Sequence, residues 1–217
     1  LSGPSAAAVL ETADKVATAL RASGFPLTKW MSNTPAVIQH WPVEERAKAL
    51  KVFGPEVQGP LPTVKALGVA WDCTDDSFTF HCRNLDLPIT TVASVLSVLA
   101  SVFDPLGIVG PYVLAGKQIF QRMWERTAPK WTAPAPTELC DEWRQWVIGL
   151  PEVATLSVPR WFGFEPDQQL ILHVFADASV KGYGAVAYLA DGKDSAFVAA
   201  KTRVVPPKRS GNVPRLE

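Results

Sequence analysis

The chain has 217 residues, 47% of them hydrophobic, which is enough to bury a core and excludes a disordered segment. Lys plus Arg equals Asp plus Glu at 21 each, so no overall basic field marks a nucleic-acid partner, and any such binding must come from local patches. The three cysteines, Cys73, Cys82 and Cys140, include no CxxC pair, which argues against a zinc site or a disulfide framework and for an intracellular protein, cytoplasmic or nuclear and not secreted.

The segment PSAAAVLETADKVATALRASG carries Val9, Ala13, Val16, Ala17 and Leu20 at helical spacing and ends at Gly24, which predicts an amphipathic helix. FPLTKW reads as a short strand. A turn-rich insertion follows from Ser32 to Pro62, with one helix expected near Val43 to Val52. TVKALGVAW and SFTFHCR are β-leaning runs, and DCTDD between them predicts a hairpin. From about Thr90 the pattern turns helical: TTVASVLSVLASVF, then PYVLAGKQIFQRMWERT after a DPLG turn, then PTELCDEWRQWVIGL. In the last of these Leu139, Trp143, Trp146, Val147 and Leu150 form one apolar face. Asp104 and Pro105 interrupt the most apolar stretch, Val92 to Ala115, so it predicts two helices meeting at a turn and not a membrane span. This helical segment is expected to pack separately.

LILHVFAD, YGAVAYLA and SAFVAAKT predict three consecutive antiparallel strands, with DGKD as an Asp-Gly turn between the last two. The first is apolar on both faces and is expected to be central. Asp177 stands where that strand ends. It reads in two ways: as a turn former helped by Ser179, or as a magnesium ligand that needs further carboxylates from other elements. Trp71, Trp124, Trp143 and Trp146 offer stacking surfaces for bases, although the helical ones are expected in the core. Arg122 and Arg126 are four apart and form a basic ridge on one helix, or simply a solvated face. His40, His81 and His173 stand apart from other metal-ligand types and receive no metal role.

DASVKGYGAVAYL, AAKTRVVP and VPRLE together resemble the start of the ribonuclease H domain of reverse transcriptases from Pao/BEL-class long-terminal-repeat retrotransposons. VLSVLASVFDPLGIVGP resembles a block of that family's polymerase, and LGVAWD a palm segment. LSG at the start resembles the residues just after the family's Tyr-x-Asp-Asp motif. The resemblance implies a mixed α+β and α/β chain with three parts: the end of a palm with its insertion (1–88), a helical thumb-like and connecting region (89–158), and the first half of a ribonuclease H-like domain with three antiparallel strands (168–217). It implies a piece cut at both ends.

The resemblance also implies Asp177 and Glu217 as two of four metal-binding, catalytic carboxylates. Leu67, Gly68 and Trp71 would lie in the element that positions a primer end. Mg²⁺ or Mn²⁺ is implied only for the complete ribonuclease H or polymerase site. The partners implied are an RNA–DNA hybrid, a primer and template, and the remaining parts of the polyprotein, with no membrane. The parent protein would be an RNA-directed DNA polymerase with ribonuclease H activity, and the isolated fragment is expected to be inactive. Thr91, Val92 and Ala93 stand where the family carries a basic pair, so a phosphate contact is expected to be lost there. A non-catalytic retroelement remnant or domesticated interaction protein is the alternative, and an actin-like ATPase-type nucleotide-binding fragment is a further one, for which no second phosphate loop is present.

Overall fold

In the computed structural model of the chain, which describes residues 1–54, 56–66, 69–80, 88–127, 130–165 and 167–206, the first helix stands where its periodicity places it. Ser5 caps α1 (Ala6–Ala22) by accepting the Ala8 amide on its hydroxyl at 3.2 Å, and Ala13 and Ala17 are buried on the inner face. The helix belongs to the first of two units, Leu1–Phe78 and Thr79–Glu217, each with its own core.

In the first unit the strand expected at FPLTKW does not form. Pro26 has no N–H to donate and Lys29 takes a φ of 63°, so Trp30 alone makes a bridge, to Arg46. The helix expected near Val43 to Val52 is instead two short 3₁₀ turns, Val43–Glu45 and Lys48–Phe53, because Arg46 and Ala47 are extended between them. A short helix not foreseen, α2 (Pro35–Gln39), precedes them. The irregular backbone is held by Arg46, 2% exposed, whose guanidinium donates to the carbonyls of Trp41, Gly54 and Gln39. Leu50, Ile38 and Cys73 fill the core beside it.

TVKALGVAW is not one strand but a hairpin in itself. β1 (Thr63–Ala66) and β2 (Val69–Asp72) pair antiparallel with Ala66 opposite Val69, and β3 (Ser77–Thr79) lies next to β2. Period-2 alternation continues in both strands, so the pattern alone could not reveal the break between them.

In the second unit the helices follow the sequence closely. α3 (Val92–Ser101) starts with a capping box made by Thr91 and Ser94. α4 (Gly110–Arg126), α5 (Thr137–Ile148) and the short α6 (Leu150–Val153) follow, and β4 (Ser157–Pro159) leads out. Trp143, Met123, Val95 and Leu150 have essentially no exposed surface. At Gly116 a Cβ would stand 2.6 Å from the Trp146 ring, so α4 and α5 meet only because residue 116 has no side chain. Tyr112 and Trp146 tie the same helices together: each side chain donates to the other's backbone carbonyl.

β5 (Ile171–Ala178), β6 (Gly182–Ala190) and β7 (Ser195–Val204) form an antiparallel sheet in that order. The antiparallel register is as expected, but the central place expected for β5 is not. Among the described residues β5 is an edge strand, exposed along both faces. Its two apolar faces record what the strand is suited to bury, whereas pairing decides where it sits.

The helical region does not pack separately either, because the turn before α4 lies against β7. The Ala200 amide donates to Leu106 O at 2.7 Å, the Thr202 hydroxyl donates to Gly110 O at 3.2 Å, and Gln121 reaches Val205 O at 2.8 Å. Asp104 shapes this turn, its two carboxylate oxygens accepting the amides of Ile108 and Val109, both at 2.9 Å. Asp104→Ala, which orphans both donors, is expected to destabilise the unit by about 1–2 kcal/mol in urea titration. No described helix is long and apolar enough to cross a membrane.

Candidate functional site

Asp177 lies at the end of β5, directly opposite Gly184 on β6. The turn that follows is closed by Ser179 and not by Asp177. The Ser179 amide donates to Gly182 O at 2.9 Å, its hydroxyl donates to the same oxygen at 3.0 Å, and that hydroxyl accepts the amides of Lys181 and Gly182 at 3.3 and 3.2 Å. Among the described residues Asp177 accepts the amide of Ala178 alone, at 2.9 Å, and it is exposed. The turn-forming role is therefore already filled, and the carboxylate is left open at the end of an anchored strand.

Gly184 contributes to that openness. A residue with a side chain opposite Asp177 would project on the same face, whereas glycine leaves the carboxylate's flank clear. Gly184 also sits closely against its neighbours, since a Cβ there would stand 3.1 Å from Lys201 O and 3.3 Å from Thr202 Cγ2. Asp177 borders a groove of about 620 Å³ whose other walls include Phe175, Tyr188, Phe197 and Leu114. Phe175, Tyr188 and Phe197 form a row of edge-to-face aromatic contacts across the sheet. The groove thus joins an apolar floor to a single acidic end. The glycine pair in GYG was the available signal for the open flank.

As an oxygen donor on a firm strand, Asp177 suits a hard divalent cation in kind. It does not suit one in number, because among the described residues no three His, Cys, Asp or Glu side chains gather closely enough to hold a metal ion. Glu217, Leu67 and Gly68 lie outside the described residues.

The other described candidates each have a partner within the chain. Trp71 is half-buried on β2, packs against the first unit's core and donates its indole N–H to Asp76 at 2.9 Å. Arg122 pairs with Glu142, and Arg126 with Glu138 at 3.4 Å, so the basic ridge of α4 is matched by an acidic ridge on α5. The Arg122 hydrogen bond holds the Glu142 carboxyl below its ordinary range, against a smaller opposing effect of burial. Both partners are nearly half exposed, so the pair contributes at most about 1 kcal/mol. This contribution is present above the unfolded carboxyl's pKa and is lost as pH falls through the lowered folded value. At the start of α3 the amides of Val92 and Ala93 donate to the carbonyls of Ala133 and Trp131 at 3.1 and 3.0 Å. The helix end where a basic pair was missing is therefore occupied by backbone and is not open to a phosphate.

Residues 91–217, more than half of the chain, match the family model described as the Pao retrotransposon-like RNaseH-like domain. The match begins at the Thr91 cap and runs through α3 to α6 as well as the sheet, and it shows the family although β5, expected to be central, lies at an edge among the described residues. No curated protein matches the chain.

Proposed function

The chain belongs to the Pao retrotransposon-like RNaseH-like domain family, and from that premise we propose that it supplies the first carboxylate of a site that hydrolyses the RNA strand of an RNA–DNA hybrid within a retroelement polyprotein. The observation that carries this reading is the Asp177 carboxylate, exposed at the end of β5 and spared from turn formation by Ser179. Residues 1–88 are the end of a reverse-transcriptase palm in this reading, and α3 to α6 connect it to the hydrolytic part. RNA-directed DNA synthesis belongs to the parent protein.

Each residue at the site has a definable task. Pairing with β6 holds the end of β5 in place, Ser179 closes the turn without using the Asp177 carboxylate, and Gly184 keeps the flank open. Asp177, joined by Glu217, would hold Mg²⁺ or Mn²⁺. Such ions, when bound, lower the pKa of the attacking water and stabilise charge on the leaving 3′ oxygen. With Asp177 alone, an ion would keep most of its water ligands and bind weakly.

A hybrid-cleavage assay tests the reading. With Mg²⁺ or Mn²⁺ present, the 217-residue chain is expected to leave the RNA strand intact, and a chain carrying the residues that follow Glu217 in the parent is expected to degrade it. An inert longer chain would overturn the function. Cleavage by the 217-residue chain, lost in Asp177→Asn, would overturn the account of a half-built site.

A further inference from the structure

We propose that Thr202 is a positioning residue whose hydroxyl fastens the sheet, at the level of Asp177, to the start of α4, so that the helical region takes part in placing the carboxylate. The inference deepens the hydrolytic reading and rests on it. Every contact that it needs lies within the second unit.

Asp177 lies opposite Gly184, and Gly184 lies opposite Thr202, so the three form one row across β5, β6 and β7 with their side-chain positions on one face. Thr202 is half-buried in that row. Its methyl group sits between two glycines, one on the sheet and one on the helix. A Cβ at Gly184 would stand 3.3 Å from Thr202 Cγ2, and a Cβ at Gly110, the first residue of α4, would stand 3.3 Å from the same carbon. Glycine at both positions lets β6, β7 and α4 come together around one small side chain. The hydroxyl then makes the attachment, donating to Gly110 O at 3.2 Å.

The hydrogen bonds described above join this part of the chain to the helical region at three points: Ala200 on Leu106, Thr202 on Gly110, and Gln121 on Val205. Of these three, Thr202 alone stands in the row that contains Asp177. Leu114, one turn further along α4, presses on the same end of the sheet, since a Cβ at Gly182 would stand 3.1 Å from its Cδ2. A site that shares ions among carboxylates tolerates little error: its groups must be held within about 0.5 Å, and a misplacement of about 1 Å can cost about a hundredfold in rate. Fixing this row is therefore felt at Asp177. Thr202 acts through the β6 ladder and not by contact with the reacting atoms.

Thr202→Val keeps the shape of the side chain and removes the hydroxyl, whereas Thr202→Ser keeps the hydroxyl. In the 217-residue chain, amide hydrogen exchange in Thr202→Val is expected to quicken about fivefold at Phe175 to Ala178 and Gly182 to Ala185, to stay unchanged at Ala187 to Ala190, and to return close to the native rate in Thr202→Ser. A merely structural loss would speed exchange along the whole sheet. In a chain extended to the complete domain, Thr202→Val is expected to lower kcat for hybrid cleavage about tenfold and to raise the Mg²⁺ concentration required, with KM for the hybrid unchanged, and Thr202→Ser is expected to reverse both effects. Asp177→Asn in the same chain is the reference. Exchange that is unchanged or uniformly faster in Thr202→Val, or cleavage that it leaves intact while Asp177→Asn abolishes it, would overturn the positioning role and leave the hydrolytic reading standing. Full cleavage by Asp177→Asn would overturn both.

Discussion

Asp177→Asn, placed in a chain extended to the complete ribonuclease domain, is expected to lower hybrid cleavage by on the order of a hundredfold or more while leaving the melting temperature unchanged or slightly raised. The substitution is nearly isosteric. Asn keeps an oxygen that can accept the Ala178 amide, and the turn stays closed because Ser179 makes its hydrogen bonds. What is lost is a negative oxygen donor, and little else changes. Were Asp177 a strand terminator only, Asn would serve as well and cleavage would be unaffected. Carboxylates clustered without metal repel one another, so removing one charge relieves the apo-protein and does not weaken it. Glu217→Gln is expected to act alike, since neither group can stand in for the other at a shared ion. Cleavage assays and thermal melts on the same preparation decide the matter. Full cleavage by the Asn variant would end the metal-ligand reading, and lost cleavage with a collapsed melting temperature would reassign Asp177 to the fold.

Gly107→Ala is expected to cost the second unit on the order of 3–5 kcal/mol, the largest stability effect of any single methyl group in the described sheet and helices. Two independent demands meet at this residue. Its φ is +78°, a conformation that costs a residue with a Cβ roughly 1–2 kcal/mol. A Cβ there would also stand 1.9 Å from Ala200 O, which is backbone in the middle of β7 and cannot rotate away. Relief requires the turn to move off the strand, which breaks the 2.7 Å bond from the Ala200 amide to Leu106 and opens the packing beneath it. Gly163→Ala separates the two demands, because Gly163 has a φ of +81° but nothing within 4 Å of its Cβ position. That variant is expected to lose only the conformational part, about 1–2 kcal/mol. Urea titration of both variants measures the difference. Equal losses would show that contact with β7 contributes nothing.

The sequence by itself determined many features that depend on a residue and its near neighbours, although not the irregular backbone from Phe25 to Phe53. Helix spacing placed α1, α3, α4 and α5, and the buried Leu139, Trp143, Trp146 and Leu150 were legible as one face. DGKD was legible as a turn: Gly192 takes a φ of +93°, and Asp191 accepts the amides of Lys193 and Asp194 at 2.8 and 2.7 Å. Those amides hold the Asp191 carboxyl below its ordinary range. Asp177 at a strand end, with Ser179 beside it, was also visible, since both facts are local.

Only the tertiary structure decided how the elements meet. It set Glu142 and Glu138 against the arginines of α4, docked the turn at Gly107 onto β7 and, among the described residues, left β5 at an edge despite its two apolar faces. The physical reason is the same in each case. Periodicity and turn chemistry report a segment's own preferences, whereas pairing, ion partners and close backbone approach depend on residues distant in sequence, which local patterns do not encode.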